Sequence, residues 1–287
     1  MAWSLLGCFG AGDKAVSLDK NTEPTVLLAD AGMVFGGDGS LTGWKVDEKG
    51  AKRFSPQGNG SIVAAAQTPT GVAVIAAQKN GTNPQLWTGS EMGWTPGPAL
   101  SHGTIKQLLV ADDGALWTEG SKGVFRSDDA GTTWTRMNVA ANLRLGSIKL
   151  GRTENRIVFA GRSLMATTDN GATWQTLLQD GSVQATDGTW VAATTDKPSI
   201  RVGRIVGESV EWTDEIDGAW NVASIHAHSQ GVRIAGTEHL NTQLKLLQGN
   251  QEGKDFDATR IDSRPAWIGL GERVMWMDER QRIHFMP

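Results

Sequence analysis

The chain has 287 residues, with 27 Lys and Arg against 31 Asp and Glu, and a net charge of −4 at neutral pH. No basic run or stripe stands out, which argues against a nucleic-acid partner. The longest apolar stretch, residues 61–77, is broken by Thr68-Pro69-Thr70-Gly71 and is too polar to span a bilayer. One Cys excludes an internal disulfide and a multi-cysteine zinc cluster, while 36 Gly without a collagen period require many tight turns.

Residues 1–12 read as an N-terminal segment. Within it Leu5-Leu6-Gly7-Cys8 resembles the lipobox of bacterial lipoproteins, where the Cys is lipidated after cleavage. Only seven residues precede Cys8 and none forms a basic n-region, so the expected state is a small buried thiol. No export signal is recognisable and the compartment stays open. Residues 13–21, DKAVSLDKN, come next and lie ahead of the first strand of the first repeat, TVLLAD at 25–30.

From there a single layout recurs. The phrase SDDAGTTW at 127–134 returns as TTDNGATW at 167–174, and Trp134 and Trp174 stand 40 residues apart. Aromatic residues continue the register at Phe54, Trp94, Trp212 and Phe256. Between them lie short runs rich in Val, Ile, Thr and Trp, bounded by Gly, Asp or Asn. In the third unit these are IKQLLV, GALWTE, GVFRS and TWTRMNV; in the fourth, GSIKLG, NRIVFAG, SLMATT and TWQTLLQ. Each run reads as a strand and each boundary as a hairpin turn, with no amphipathic helix among them. Four strands per unit of about 40 residues is the pattern of a β-propeller blade.

The last unit offers three runs, AWIGLG, RVMWMD and RIHFM, and then the chain stops. Residues 13–21 supply the missing outer strand, since a ring whose last sheet borrows its first residues has no seam at which to open. The expectation is one all-β domain, residues 13–287, folded as a seven-bladed β-propeller of four-stranded antiparallel blades, closed by an N-terminal strand.

The two matching phrases resemble the Asp box of BNR-repeat propellers, through Ser127, Asp129, Gly131, Thr133 and Trp134, and again Thr167, Asp169, Gly171, Thr173 and Trp174. The physics of such a box is structural. The Asp accepts backbone N–H bonds within a tight turn, the Gly takes a conformation a side chain would obstruct, and the Trp buries its ring on the neighbouring sheet. Calcium ligation is the alternative for Asp129 and Asp169, but one carboxylate per box falls short of six or more oxygens. Asp boxes are familiar from sialidases, which use a Tyr nucleophile. This chain has no Tyr and no Arg-Ile-Pro tripeptide, so the resemblance stops at the scaffold.

Other catalytic or metal readings find less. Adjacent acids in DERQ at 278–281 and TDEID at 213–217 point to opposite faces of a strand. His226 and His228 share one side of an innermost strand and read as channel lining, with the start of a metal site as the alternative. GGDGS at 36–40 lacks a nucleotide-loop context, so no cofactor is expected. The expectation is therefore a non-enzymatic binding or scaffold protein, with no metal and no cofactor. Its partner would be a protein or a glycan, met within a larger assembly; a virion- or cell-surface component is one alternative, and a glycosidase, disfavoured by the missing Tyr, is the other. The turns joining second to third strands cluster at one mouth of the channel. They bring forward Lys79, Asn80, Asn83, Lys122, Arg162, Lys197, His239 and Arg280 as the candidate binding face.

Overall fold

A computed structural model describes residues 15–18, 24–36, 39–47, 49–54, 59–78, 82–90, 92–139, 149–153, 156–179, 181–238, 244–261, 265–271, 273–278, 280 and 282–286. No helix occurs among them. The strands form seven antiparallel sheets in a ring, a seven-bladed β-propeller. Blade 5 shows the pattern in full: Val183–Thr186, Trp190–Thr194, Ser199–Val206 and Ser209–Asp217, in sequence order from the channel outwards. Blade 2 has Asn59–Thr68 as its first strand, and the two-residue strand Gly39–Ser40, from the second-to-third connection of blade 1, pairs with that strand.

Blade 7 is completed from the other end of the chain. Pro265–Gly269, Val274–Asp278 and Arg282–Met286 are its three inner strands, and Val16–Ser17 is the outer one, with Val16 opposite Ile283 and Ser17 opposite Arg282. Leu18 follows with 6% exposure and packs among Ala29, Val34, Trp44, Met275 and Ile283, thereby joining blade 7 to blade 1. Among the described residues of the segment, Val16 and Ser17 make the pairing. Residues 1–14 and 19–23, Cys8 included, lie outside the described residues.

The core is a set of apolar layers between successive blades. Leu86 and Leu116 meet across the blade 2–3 boundary, Trp117 and Phe159 across 3–4, and Val202 and Ile234 across 5–6. Middle strands are buried on both faces: Val274–Asp278 and Leu116–Gly120 are buried throughout. In Val274–Asp278 four consecutive apolar residues fill the strand, whereas Leu116–Gly120 also buries Thr118 and Glu119.

Polar side chains fasten the innermost strands of neighbouring blades. Gln107 of blade 3 donates from Nε2 to the Leu150 carbonyl at 2.9 Å and accepts from the Leu150 N–H at 2.9 Å. Gln184 of blade 5 makes the same two-ended contact with blade 6, at the Trp220 carbonyl and the Val222 N–H. Between blades 4 and 5 the backbones touch directly. Arg152 N–H donates to the Asp187 carbonyl at 2.8 Å, and a Cβ on Gly151 would stand 2.3 Å from the Gly188 nitrogen.

The closure yields a first prediction. Leu18→Ala should lower unfolding free energy by about 2–4 kcal/mol, the usual range for emptying a packed leucine site. Denaturant titration of the whole chain checks this; a loss below about 0.5 kcal/mol would mean that blade 7 holds without its fourth strand.

Candidate functional site

The two recurrent hairpins join third to fourth strands in blades 3 and 4 and share one geometry. In the first, the Ser127 hydroxyl donates to Asp129 Oδ1 at 2.8 Å and accepts from the Gly131 N–H at 2.8 Å. The Thr133 N–H donates to Asp129 Oδ1 at 2.8 Å and its hydroxyl to Oδ2 at 2.7 Å. Thr167, Asp169, Gly171 and Thr173 reproduce every one of these contacts. Gly131 and Gly171 sit at φ of +92° and +90°, in the region a side chain resists. A Cβ on Gly131 would strike Leu86 of blade 2, and one on Gly171 would meet Met137 and Trp117 of blade 3. Each hairpin thus lies on the preceding blade. Trp134 packs half-buried on its layer with Nε1 donating to the Gly131 carbonyl, and Trp174 stands edge-on to Trp117 at 6.2 Å. Trp212, in register with them, departs: it is 37% exposed and carries Arg201 over its ring at 6.0 Å.

Donors from Thr133 hold the Asp129 carboxyl at about 2, the backbone N–H first and the hydroxyl second, with Ser127 adding to them. Asp169 is held at about 2 in the same way, the Thr173 hydroxyl leading and its backbone N–H next. Both carboxylates are engaged by their own hairpins.

The turns between second and third strands occupy the opposite face. They bond to the connections between blades: Lys122 N–H to the His102 carbonyl, Ser182 N–H to the Arg162 carbonyl, and Gly218 N–H to the Pro198 carbonyl. Lys122, Arg162, Lys197 and Arg280 all stand exposed on this face, and so does Asn83, at φ 50°. Lys79, Asn80 and His239 fall outside the described residues. On the hairpin face Arg126 and Arg152 are paired with carboxylates. Arg126 contacts Asp113 at 3.1 Å, Asp128 and the Asn170 carbonyl, and Arg152 contacts Asp112 at 3.2 Å. Asp112 and Asp113 line a cleft of about 210 Å³ between blades 3 and 4, together with Thr153, Arg156, Thr168 and Asn170.

Three other titratable groups are tied into the scaffold. Asp187 accepts from the Thr189, Trp190 and Ala227 N–H groups, and burial pushes its carboxyl up against their pull. It bridges blades 5 and 6 beside His226, which lies on the innermost strand Trp220–His228. Asp278 of the DERQ segment accepts from Arg282 Nε at 2.8 Å and pairs with His284 at 3.1 Å. Burial works to raise its carboxyl, but donors from Arg282, His284 and Arg280 outweigh it and hold it at about 2. Burial, with Lys122 adding to it, lowers His102 to about 4; its ring stacks on Phe125 at 3.7 Å. Among the described residues no group of three or more His, Cys, Asp or Glu is arranged to hold a metal.

A further opening lies in the channel. Inner-strand residues of blades 1, 2 and 3, among them Val26, Leu28, Val63, Ala65 and Leu108, line an open cavity of about 520 Å³ with Lys106 on its wall. Sequence reasoning passed over Lys106 because it counted turns and ignored the first strands, whose open edges border the channel.

No protein-family model matches the chain. A xyloglucanase of Hypocrea jecorina is 29% identical over 180 residues, which are 56% of this chain and 21% of the xyloglucanase. The chain thus corresponds to about a fifth of that relative's length. Among solved structures, a catalytically inactive virginiamycin B lyase from Staphylococcus aureus with quinupristin has a TM-score of 0.65 at 16% identity, covering 94% of this chain and 97% of its own. YCF48 bound to a D1 peptide gives 0.60 at 13% identity, with coverage of 96% and 98%. A structure of the mitotic checkpoint complex gives 0.65 at 9% identity, with coverage of 99% and 95%. These structural likenesses show the fold.

The matches correct one expectation. A missing Tyr led to a ring without catalysis, yet the sequence relative is a xyloglucanase and rings of this shape include lyases. The Tyr criterion bears on sialidase chemistry alone.

The hairpin carboxylates make stability depend on pH. A carboxyl with a lowered folded value contributes stability above its unfolded value of 3.8 and loses it as pH falls toward 2. The wild-type melting temperature should therefore drop steeply between about pH 4 and pH 2. Asp129→Asn with Asp169→Asn should lower the melting temperature at pH 7 and flatten that acid limb; an acid limb as steep as wild type would place the sensitivity elsewhere.

Proposed function

We propose that this chain is a protein-binding propeller that presents its second-to-third-turn face to an acidic surface of a partner, as one piece of a larger assembly. The observation that carries the reading is the gathering of Lys122, Arg162, Lys197 and Arg280, all exposed, on one face. Exposed cations gathered on a rigid rim steer and orient an acidic partner. On this reading the two recurrent hairpins are Asp boxes, and they stiffen the ring from the opposite face so that the rim keeps its shape. YCF48, solved with a D1 peptide, supports peptide recognition by a ring of this architecture.

The identity to a xyloglucanase favours a second reading, in which the ring acts on xyloglucan. Glycoside hydrolysis requires two carboxyl groups flanking the scissile bond. The cleft with Asp112 and Asp113 is the polar site that offers carboxylates, each tied to an arginine.

The two readings separate in one set of variants. Replacing Lys122, Arg162, Lys197 and Arg280 together by Glu should abolish the crosslinks wild type makes in its native extract, while Lys49→Glu with Lys254→Glu on the hairpin face should leave them intact. The reverse pattern would move the interface to the hairpin face. Release of reducing ends from xyloglucan, lost in Asp112→Asn or Asp113→Asn and unmoved by the four charge reversals, would establish the second reading in place of the first.

A further inference from the structure

The channel cavity is an unassigned site with a definite chemistry. Its wall comes from three innermost strands: Thr25, Val26 and Leu28 of blade 1, Ile62, Val63, Ala64 and Ala65 of blade 2, and Lys106, Gln107 and Leu108 of blade 3. Each of these stretches pairs with its own second strand and leaves its other edge toward the channel. The run of small residues at Ala64 and Ala65 keeps the wall back from the axis. At about 520 Å³ the space falls within the ~300–1,000 Å³ range of small-molecule sites.

The polar groups of the wall are mostly engaged. The Thr25 hydroxyl donates to the Ile62 carbonyl, fastening blade 1 to blade 2. Both ends of the Gln107 amide are taken by Leu150. Lys106 differs. It is the charged group among the described residues of the wall, it is exposed, and among those residues it has neither a hydrogen bond nor an ion pair. An ammonium group that borders an apolar cavity, with no carboxylate among the described residues to meet it, leaves three donors for a guest.

We propose that this cavity binds an organic monocarboxylate with an apolar body, the carboxylate meeting the Lys106 ammonium and the body lying against Val26, Leu28, Val63, Ala65 and Leu108. The charge supplies orientation through an ion-paired hydrogen bond, and the apolar wall supplies binding through buried area. The same chemistry is offered by a free small acid and by the C-terminus of a polypeptide that ends in apolar residues. The site is separate from the rim of Lys122, Arg162, Lys197 and Arg280, and it stands whether or not that rim docks a protein.

Calorimetric titration of the full chain decides it. The probes are hexanoate, with hexanamide as its uncharged match, and the peptide acetyl-Ala-Val-Leu with a free carboxylate, with its C-terminal amide as match. At least one carboxylate should bind, and its amide should bind about tenfold or more weakly. Lys106→Met, an exposed position whose change spares the fold, should weaken the carboxylate about tenfold, and Lys106→Arg should keep most of the affinity. Melting curves of both variants should match wild type. Hexanoate binding identifies a free acid as the guest; binding of the peptide without hexanoate identifies a polypeptide terminus. No binding by either carboxylate, equal binding of acid and amide, or binding unchanged in Lys106→Met would overturn the proposal.

Discussion

A ring of sheets stays closed only if its last sheet and its first are joined as firmly as any other pair. Here that junction rests on a short N-terminal segment. Val16 and Ser17 pair with Ile283 and Arg282, and Leu18 is buried between blades 7 and 1. Because the two halves of blade 7 come from opposite ends of the chain, parting them costs the closure of the whole ring rather than one local hairpin. Every other feature, from the channel to the two faces, presupposes this closure, since a propeller that opens has neither a defined cavity nor a rim.

Much of the architecture could be read from the residues, and the reasons are particular. Middle strands such as Val274–Asp278 are buried on both faces, so apolar residues run without interruption and the turns between them are marked by Gly and Asp. The spacing of 40 between Trp134 and Trp174 survives because both rings follow hairpins locked by the same four hydrogen-bonding residues. Trp212 keeps the register without the hairpin, and its ring stands partly in solvent under Arg201. Register and burial are therefore different properties, and spacing reports on the first.

What the residues withheld lies between blades. Gln107 and Gln184 each read as one more polar residue on a strand, yet each holds the neighbouring blade at both an N–H and a carbonyl. Arg126 reads as a surface charge and is in fact nearly buried, with partners on two blades. These contacts join residues 36 to 44 positions apart in sequence, so no local pattern announces them. The candidate face fared differently, because strand alternation alone puts every second-to-third turn on one side. That rule locates Lys122, Arg162, Lys197 and Arg280 together, and it has nothing to say about a first-strand residue such as Lys106.

The carboxylates differ in how far their own surroundings engage them, and this constrains function more than net charge does. A carboxylate held at about 2 by its own hairpin, like Asp129 or Asp169, has its lone pairs occupied and serves a guest poorly as base or ligand. Asp278 and Asp187 are likewise bound to backbone and side-chain donors within the ring. Chemistry on this scaffold must then draw on groups whose partners are interchangeable with a substrate's. The arginine-tied carboxylates Asp112 and Asp113 in the cleft and the ammonium of Lys106 in the channel, which has no partner among the described residues, answer that description. A guest at either place would meet a site whose shape is set before it arrives, so that little ordering would be charged against its binding.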